Sequence, residues 1–219
     1  MKVKSKVLKV SSFKVEYFIL GEWMAVKDDY LYIGGLGKEW TTSDGEVLNF
    51  NPMYIKKVSH SGKVQHIDWH TNYIKLRETA GIEFPGYMIH ESACYSPVTK
   101  SWTFLPRRAS KSKYNDVDDE RRGTNLMLTA KAAVNVDDEN EPFSDVKVKE
   151  IGTLDQPSHG FSSFKYIPGT KDDLVVALKS EELEGKIATY ILVFRASDGK
   201  IIKQEEKIGD IKYEGIEFI

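Results

Sequence analysis

Residues 105–125 read LPRRASKSKYNDVDDERRGTN, with Arg107 and Arg108 before a cluster of Asp116, Asp118, Asp119 and Glu120, and Arg121 and Arg122 after it. Guanidinium groups hold phosphate oxygens through paired hydrogen bonds, so the first arginine pair suits a phosphate-bearing anion. The acids between them can pair with arginine or handle water. A solvated loop is the ordinary meaning of a run with interspersed signs, so the surrounding chain has to separate the two.

A second constellation is spread along the chain. The segments GEWMAV, HESACY, GFSSFKY and YEGIEF each place an oxygen-bearing residue at the mouth of a strand of small and apolar residues: Glu22, Glu91, Ser162 and Glu214. Their separations of 69, 71 and 52 residues lie near or above the period of roughly 40 to 50 residues for a propeller blade, with room for loop insertions. First strands of successive blades line one channel, so three carboxylates and a hydroxyl would converge there. Like charges brought together raise one another's pKa unless a cation neutralises them, and a hard dication with oxygen ligands suits such a ring. The spacing points to an axial calcium ion.

The elements that must position these groups read as strands. Short apolar or alternating runs dominate, among them YLYIGGL, GYMIHESACY, WTFLP, LVVALK and ATYILVF. Hairpin signals stand between them at Asp28-Asp29, Ser43-Asp44-Gly45, Ser61-Gly62, Glu184-Gly185 and Ser197-Asp198-Gly199. The expectation is an all-β fold of mainly antiparallel sheets. Residues 66–81 alone have helical spacing, with Ile67, Tyr73, Ile74 and Leu76 as apolar members and Gly81 as the stop, so they predict one short helix inside a long connection.

At 219 residues and 41% hydrophobic, the chain can build a sizeable core. A formal net charge of −2 gives no whole-protein field for nucleic acid or an anionic membrane, so anion binding must be local. No apolar run is long enough for a bilayer span, and the basic residues in MKVKSKVLKV interrupt what a signal peptide keeps apolar. The lone Cys94 excludes an internal disulfide.

Several motifs fall away on spacing. GGLGKEW has neither a Walker pattern nor a dinucleotide fingerprint; it reads as a strand end and turn, with Lys38 and Trp40 at the channel mouth. DVDDERRG and NVDDENEPFSD carry Arg121 and Asn140 where a calcium loop needs glycine. His66 and His70 stand four apart but lack a third metal ligand. His159 with Ser162, and Cys94 with His90, lack the elbow and third member of a nucleophile triad. The aromatic residues are mostly core, with one or two free to stack on a base.

The blocks AVKDDYLYIGGLGKEWTT, PGYMIHESACYS, FLPRRAS, DDERRGTNL, HGFSSFKYIP, VALKSEE and KIGDIKYEGIEFI, in this order, resemble the calcium-activated nucleotidase (soluble apyrase) family from about Gly21 onward. The resemblance implies a five-bladed β-propeller that hydrolyses nucleoside di- and triphosphates with calcium, secreted or in the ER/Golgi lumen. It matches Glu22, Glu91, Ser162 and Glu214 to the axial calcium ligands. In that context Arg107 and Arg108 are expected to grip the phosphates, Asp118, Asp119 and Glu120 either to orient the attacking water as catalytic groups or only to hold Arg121 and Arg122 in place, and Lys38, Trp40, Arg107 and His159 to contact the substrate.

Residues 1–20 do not match the family's longer N-terminal region, so residues 21–219 are expected to form about three to four blades of an incomplete ring, with residues 1–20 as a remnant of the first blades. Exposed strand edges would then favour weaker metal binding or self-association, a homodimer included. The alternative function is an impaired calcium-binding fragment that acts as an interaction module.

Overall fold

The computed structural model describes residues 21–131 and 142–219. The N-terminal twenty residues, expected to supply up to two strands, and most of the acidic run beginning at Asn135 lie outside the described residues.

The first sheet contains β1 (Trp23–Lys27), β2 (Tyr30–Gly34), β5 (Tyr54–Val58) and β6 (Val64–Asp68), hydrogen-bonded in that order. A small hairpin of β3 (Trp40–Thr41) and β4 (Val47–Asn49) springs from it between β2 and β5. Helix α1 (His70–Thr79) leads to a second sheet: β7 (Tyr87–Ser96), β8 (Ser101–Ser110), β9 (Leu126–Lys131) and β10 (Ser144–Glu150). Between β8 and β9 the charged loop forms a four-residue helix, α2 (Asp116–Asp119). The third sheet is β11 (His159–Tyr166), β12 (Leu174–Leu183), β13 (Lys186–Arg195) and β14 (Ile201–Gly209). Among the described residues every strand pairing is antiparallel, and the first strands β1, β7 and β11 pack side by side, which is the arrangement of three propeller blades.

Local chemistry fixes the turns. Lys27 pairs with Tyr30 across Asp28 and Asp29, both at positive φ (49° and 63°), the geometry that matches strand twist in a two-residue hairpin. Glu184 and Gly185, at 52° and 80°, repeat it between β12 and β13.

The helix differs from the sequence expectation at its start. Ile67 pairs with Ile55 and is buried, so residues up to Asp68 complete the first sheet and the helix begins at His70. His66 therefore lies on a strand, and His70 stacks on Phe50 at 4.9 Å. Helix α2 was not anticipated; Asn115 caps it, accepting hydrogen bonds from the backbone N–H groups of Val117 and Asp118.

Two apolar clusters fill the gaps between blades. Trp23, Tyr32, Trp69, Tyr73, Trp102 and Phe104 lock the first blade to the second, with Trp69 edge-on to Trp102 at 5.4 Å. Such aromatic pairs add about 0.5–1.5 kcal/mol each beyond their buried area. Leu105, Met127, Phe161, Phe164, Val175 and Phe194 do the same between the second and third blades. Strand register breaks at two places that matter for function, around Glu91 in β7 and around Ser162 in β11. A bulge re-aims the side chain that it carries.

Candidate functional site

A cleft of about 570 Å³ opens where the β3–β4 hairpin, the start of β7, the end of β8 and α2 meet. It gathers Lys38, Trp40, Arg107, Arg108, Asp119 and Glu120, all singled out in the sequence, with Glu91 in the wall. Glu182, Tyr114 and Asp116 also line it.

Arg107 is buried, and its charge is fully answered. Nη1 donates to Glu91 Oε2 at 2.9 Å and to Ser180 Oγ, and Nη2 donates to Glu182 Oε2 at 2.5 Å. Arg108 is equally buried but less compensated. Its nearest carboxylate is Asp119, 4.0 Å from Nε; Nη2 donates to the Ser158 carbonyl at 3.2 Å, and Nη1 has no hydrogen-bond partner. Gly160 leaves room for that guanidinium, since a Cβ there would come within 2.4 Å of Nη1. Burial, and then the charge of Arg107, lower the pKa of Arg108.

On the opposite wall, Lys38 Nζ donates to the Glu39 carbonyl at 2.9 Å and to Thr41 Oγ1 at 3.0 Å, and sits 4.2 Å from the centre of the Tyr114 ring. Burial lowers its pKa, against the pull of Asp119 and Glu39. Asp119 accepts a 2.6 Å hydrogen bond from the Tyr87 hydroxyl; burial raises its carboxyl pKa, while Tyr87, Arg108, Arg107 and Lys38 oppose that rise. The lining holds three cationic side chains against five carboxylates, a formal excess of two negative charges.

A second cavity, about 800 Å³, adjoins the first through Glu91 and brings Glu22 and Glu214 together with it. Burial and then Glu91 raise the pKa of Glu22; burial raises that of Glu91 despite Arg107 and Lys212. Lys212 Nζ lies 3.2 Å from Glu214, 3.3 Å from Glu182 and 4.0 Å from Glu91, the internal counter-charge to this cluster. Ser163, not Ser162, lines the cavity, while Ser162 Oγ is buried in the β11 bulge with no hydrogen-bond partner. Among the described residues no three His, Cys, Asp or Glu side chains are close enough to hold a metal ion by themselves. Three mutually repelling carboxylates and an orphaned buried hydroxyl are still donors of the hard-oxygen kind that calcium takes.

Two sequence candidates lie elsewhere. Asp118 points its charge at Arg122 (3.5 Å) on the exposed side of α2, because successive helical residues face different directions. His159 lies in the third blade, stacked on Tyr190 at 3.9 Å and 2.8 Å from Glu205 through Nδ1. Glu182, Tyr87 and Lys212 were missed. Glu182 reaches Arg107 across 75 residues of sequence, a distance at which spacing carries no signal.

Fold and site together define a β-sheet protein of propeller type whose cleft combines two buried arginines and a buried lysine with five carboxylates. The family model described as Apyrase matches residues 9–219, beginning ahead of the boundary expected at Gly21, and the chain belongs to that family. It is 54% identical over 205 residues to "Soluble calcium-activated nucleotidase 1" of Mus musculus, covering 94% of this chain and 48% of the mouse protein. "Apyrase apy-1" of Caenorhabditis elegans is 45% identical over 90% of this chain and 54% of its own length. "Apyrase" of Cimex lectularius is 38% identical over 90% and 52%. The chain thus spans about half the length of these curated relatives.

Proposed function

We propose that this chain supplies the nucleotide-hydrolysing cleft of a calcium-dependent apyrase, releasing phosphate from nucleoside di- and triphosphates of the UDP, GDP and ADP type. The observation that carries this reading is the meeting of Lys38, Arg107 and Arg108 with five carboxylates in one cleft. Lys38 and Arg108 bind phosphate oxygens, and Arg107 fixes Glu91 and Glu182. Asp119, held by Tyr87, orients water for in-line attack. Trp40, exposed at the rim, offers a face for the base.

Glu22, Glu91, Glu214 and Ser162 would hold a calcium ion. When bound, calcium supplies the positive charge that a polyphosphate needs beside a lining with surplus carboxylates. A secreted or lumenal setting, where calcium is plentiful, accords with this chemistry.

The test is phosphate release by the purified chain from uridine, guanosine and adenosine diphosphates, with calcium, with magnesium and with chelator. Release that needs calcium is the expected result. Background release together with a calcium-raised melting temperature would instead favour a calcium-stabilised interaction module.

A further inference from the structure

We propose that the buried ion pair between Glu39 and Arg77 is a positioning device for Lys38. This deepens the nucleotide-hydrolysis reading and rests on it. Arg77, in the last turn of α1, directs Nη1 to both Glu39 oxygens, 3.0 Å from Oε1 and 2.9 Å from Oε2, and both side chains are over nine-tenths buried. Glu39 is the residue next to Lys38 and stands 38 residues from Arg77, so the pair ties the rim of the cleft to the helix between two blades.

The rest of the turn is anchored on the other side of Lys38. The His90 N–H donates to the Leu36 carbonyl at 2.9 Å, and the Gly37 N–H donates to the Pro52 carbonyl at 3.1 Å. Gly37 has φ of +72°, and a Cβ there would come within 2.5 Å of the Tyr73 ring and 2.8 Å of His90 Cδ2. The turn is therefore seated directly on α1 and β7. Lys38 lies between this backbone anchor and the Glu39–Arg77 clamp, and its Nζ spends one of its hydrogen bonds on the Glu39 carbonyl.

Desolvation makes a buried ion pair a poor source of stability, and apolar replacements of similar volume often serve as well. What the pair does supply is fixed geometry. Arg77 Nη1, shared between both oxygens of one carboxylate while Nε stays unpartnered, pins the buried Glu39 side chain, and with it the backbone carbonyl that orients the Lys38 ammonium.

Removing one partner alone would strand a buried charge and could unfold the chain, so the decisive variant is the double replacement Glu39→Met/Arg77→Met. Two readouts on the full chain are needed: the rate of lysine acetylation at each site by mass spectrometry, and KM and kcat for calcium-dependent phosphate release from uridine diphosphate. The expected result is roughly tenfold faster acetylation of Lys38 and a roughly tenfold higher KM with kcat within about twofold, as for loss of one well-placed charged contact. Lys179, buried in the third blade, should keep its wild-type rate.

Unchanged Lys38 acetylation overturns the proposal. So does an equal rise at Lys179, which would mark a general loosening of the fold. Acetylation reads the proposal even if the wild-type chain releases no phosphate, an outcome that would sink the hydrolase reading alone.

Discussion

Arg107 Nη1 and Glu91 Oε2 face one another at 2.9 Å on neighbouring strands, and Glu91 is the one carboxylate common to the cleft and to the carboxylate-lined cavity beside it. The pair joins the proposed phosphate site to the proposed metal site. Replacing Arg107 by alanine leaves Glu91 buried without its principal partner and leaves Glu182 with Lys212 alone. Urea denaturation should then show a loss of about 3 kcal/mol, the scale for breaking a buried pair from one side. A loss below about 1 kcal/mol would mean that Lys212 suffices as the counter-charge.

The two neighbouring acids of α2 should behave differently. Asp119 lines the cleft and holds the Tyr87 hydroxyl, whereas Asp118 faces Arg122 at the surface. Asp119→Asn is expected to lower kcat by about 100-fold or more, the usual worth of a positioned base, while Asp118→Asn stays within about twofold. Steady-state phosphate release by the two variants compares them directly. Equal losses would move the water-orienting role away from Asp119.

The pH profile carries a second check on Asp119. Burial raises its pKa above the ordinary 3.8, and the Tyr87 hydrogen bond works against that rise by stabilising the charged form. Activity that needs the carboxylate ionised falls as pH drops through this raised value. Tyr87→Phe removes the opposing hydrogen bond, so the acid limb of kcat/KM should move to higher pH. A limb that stays put or moves down would exclude Asp119 as the titrating group.

Much of this architecture was legible because its signals are local. Asp28-Asp29 and Glu184-Gly185 need nothing beyond their own φ preferences to make hairpins, and short apolar or alternating runs between such turns announced the strands. The two arginines and the echoed glutamates were legible as residue types at recurring places. What could not be read is set by tertiary geometry. Residues 66–68 are strand because Ile55 waits opposite Ile67, α2 is too short to show a period, and Glu182 meets Arg107 through folding alone. The division of labour between Asp118 and Asp119 depends on how one helical turn sits on the cleft, which composition does not encode.

Cys94 offers a test of the core that is independent of catalysis. Burial pushes its thiol up to about 12, and Sγ donates to the Phe164 carbonyl at 3.2 Å, tying the second blade to the third. At pH 8 the thiolate fraction is then on the order of 10⁻⁴, so iodoacetamide should leave the folded chain unmodified for hours and label it fully in denaturant. Rapid labelling of the folded chain would show that the gap between these blades opens readily.

Ser162 allows the metal question to be answered by stability in place of activity. Its buried Oγ has no hydrogen-bond partner, and a buried polar atom left unpaired costs about 1–3 kcal/mol. Without calcium, Ser162→Ala should therefore melt at or above the wild-type temperature, since it removes a hydroxyl that binds nothing. With calcium the order should invert, because the wild-type chain gains a ligand contact that the variant lacks, and binding to the native state alone raises stability by mass action. Thermal melts with and without calcium read both halves. If calcium raises the two melting temperatures equally, Ser162 is not a ligand, and the three glutamates must draw their remaining oxygens from elsewhere.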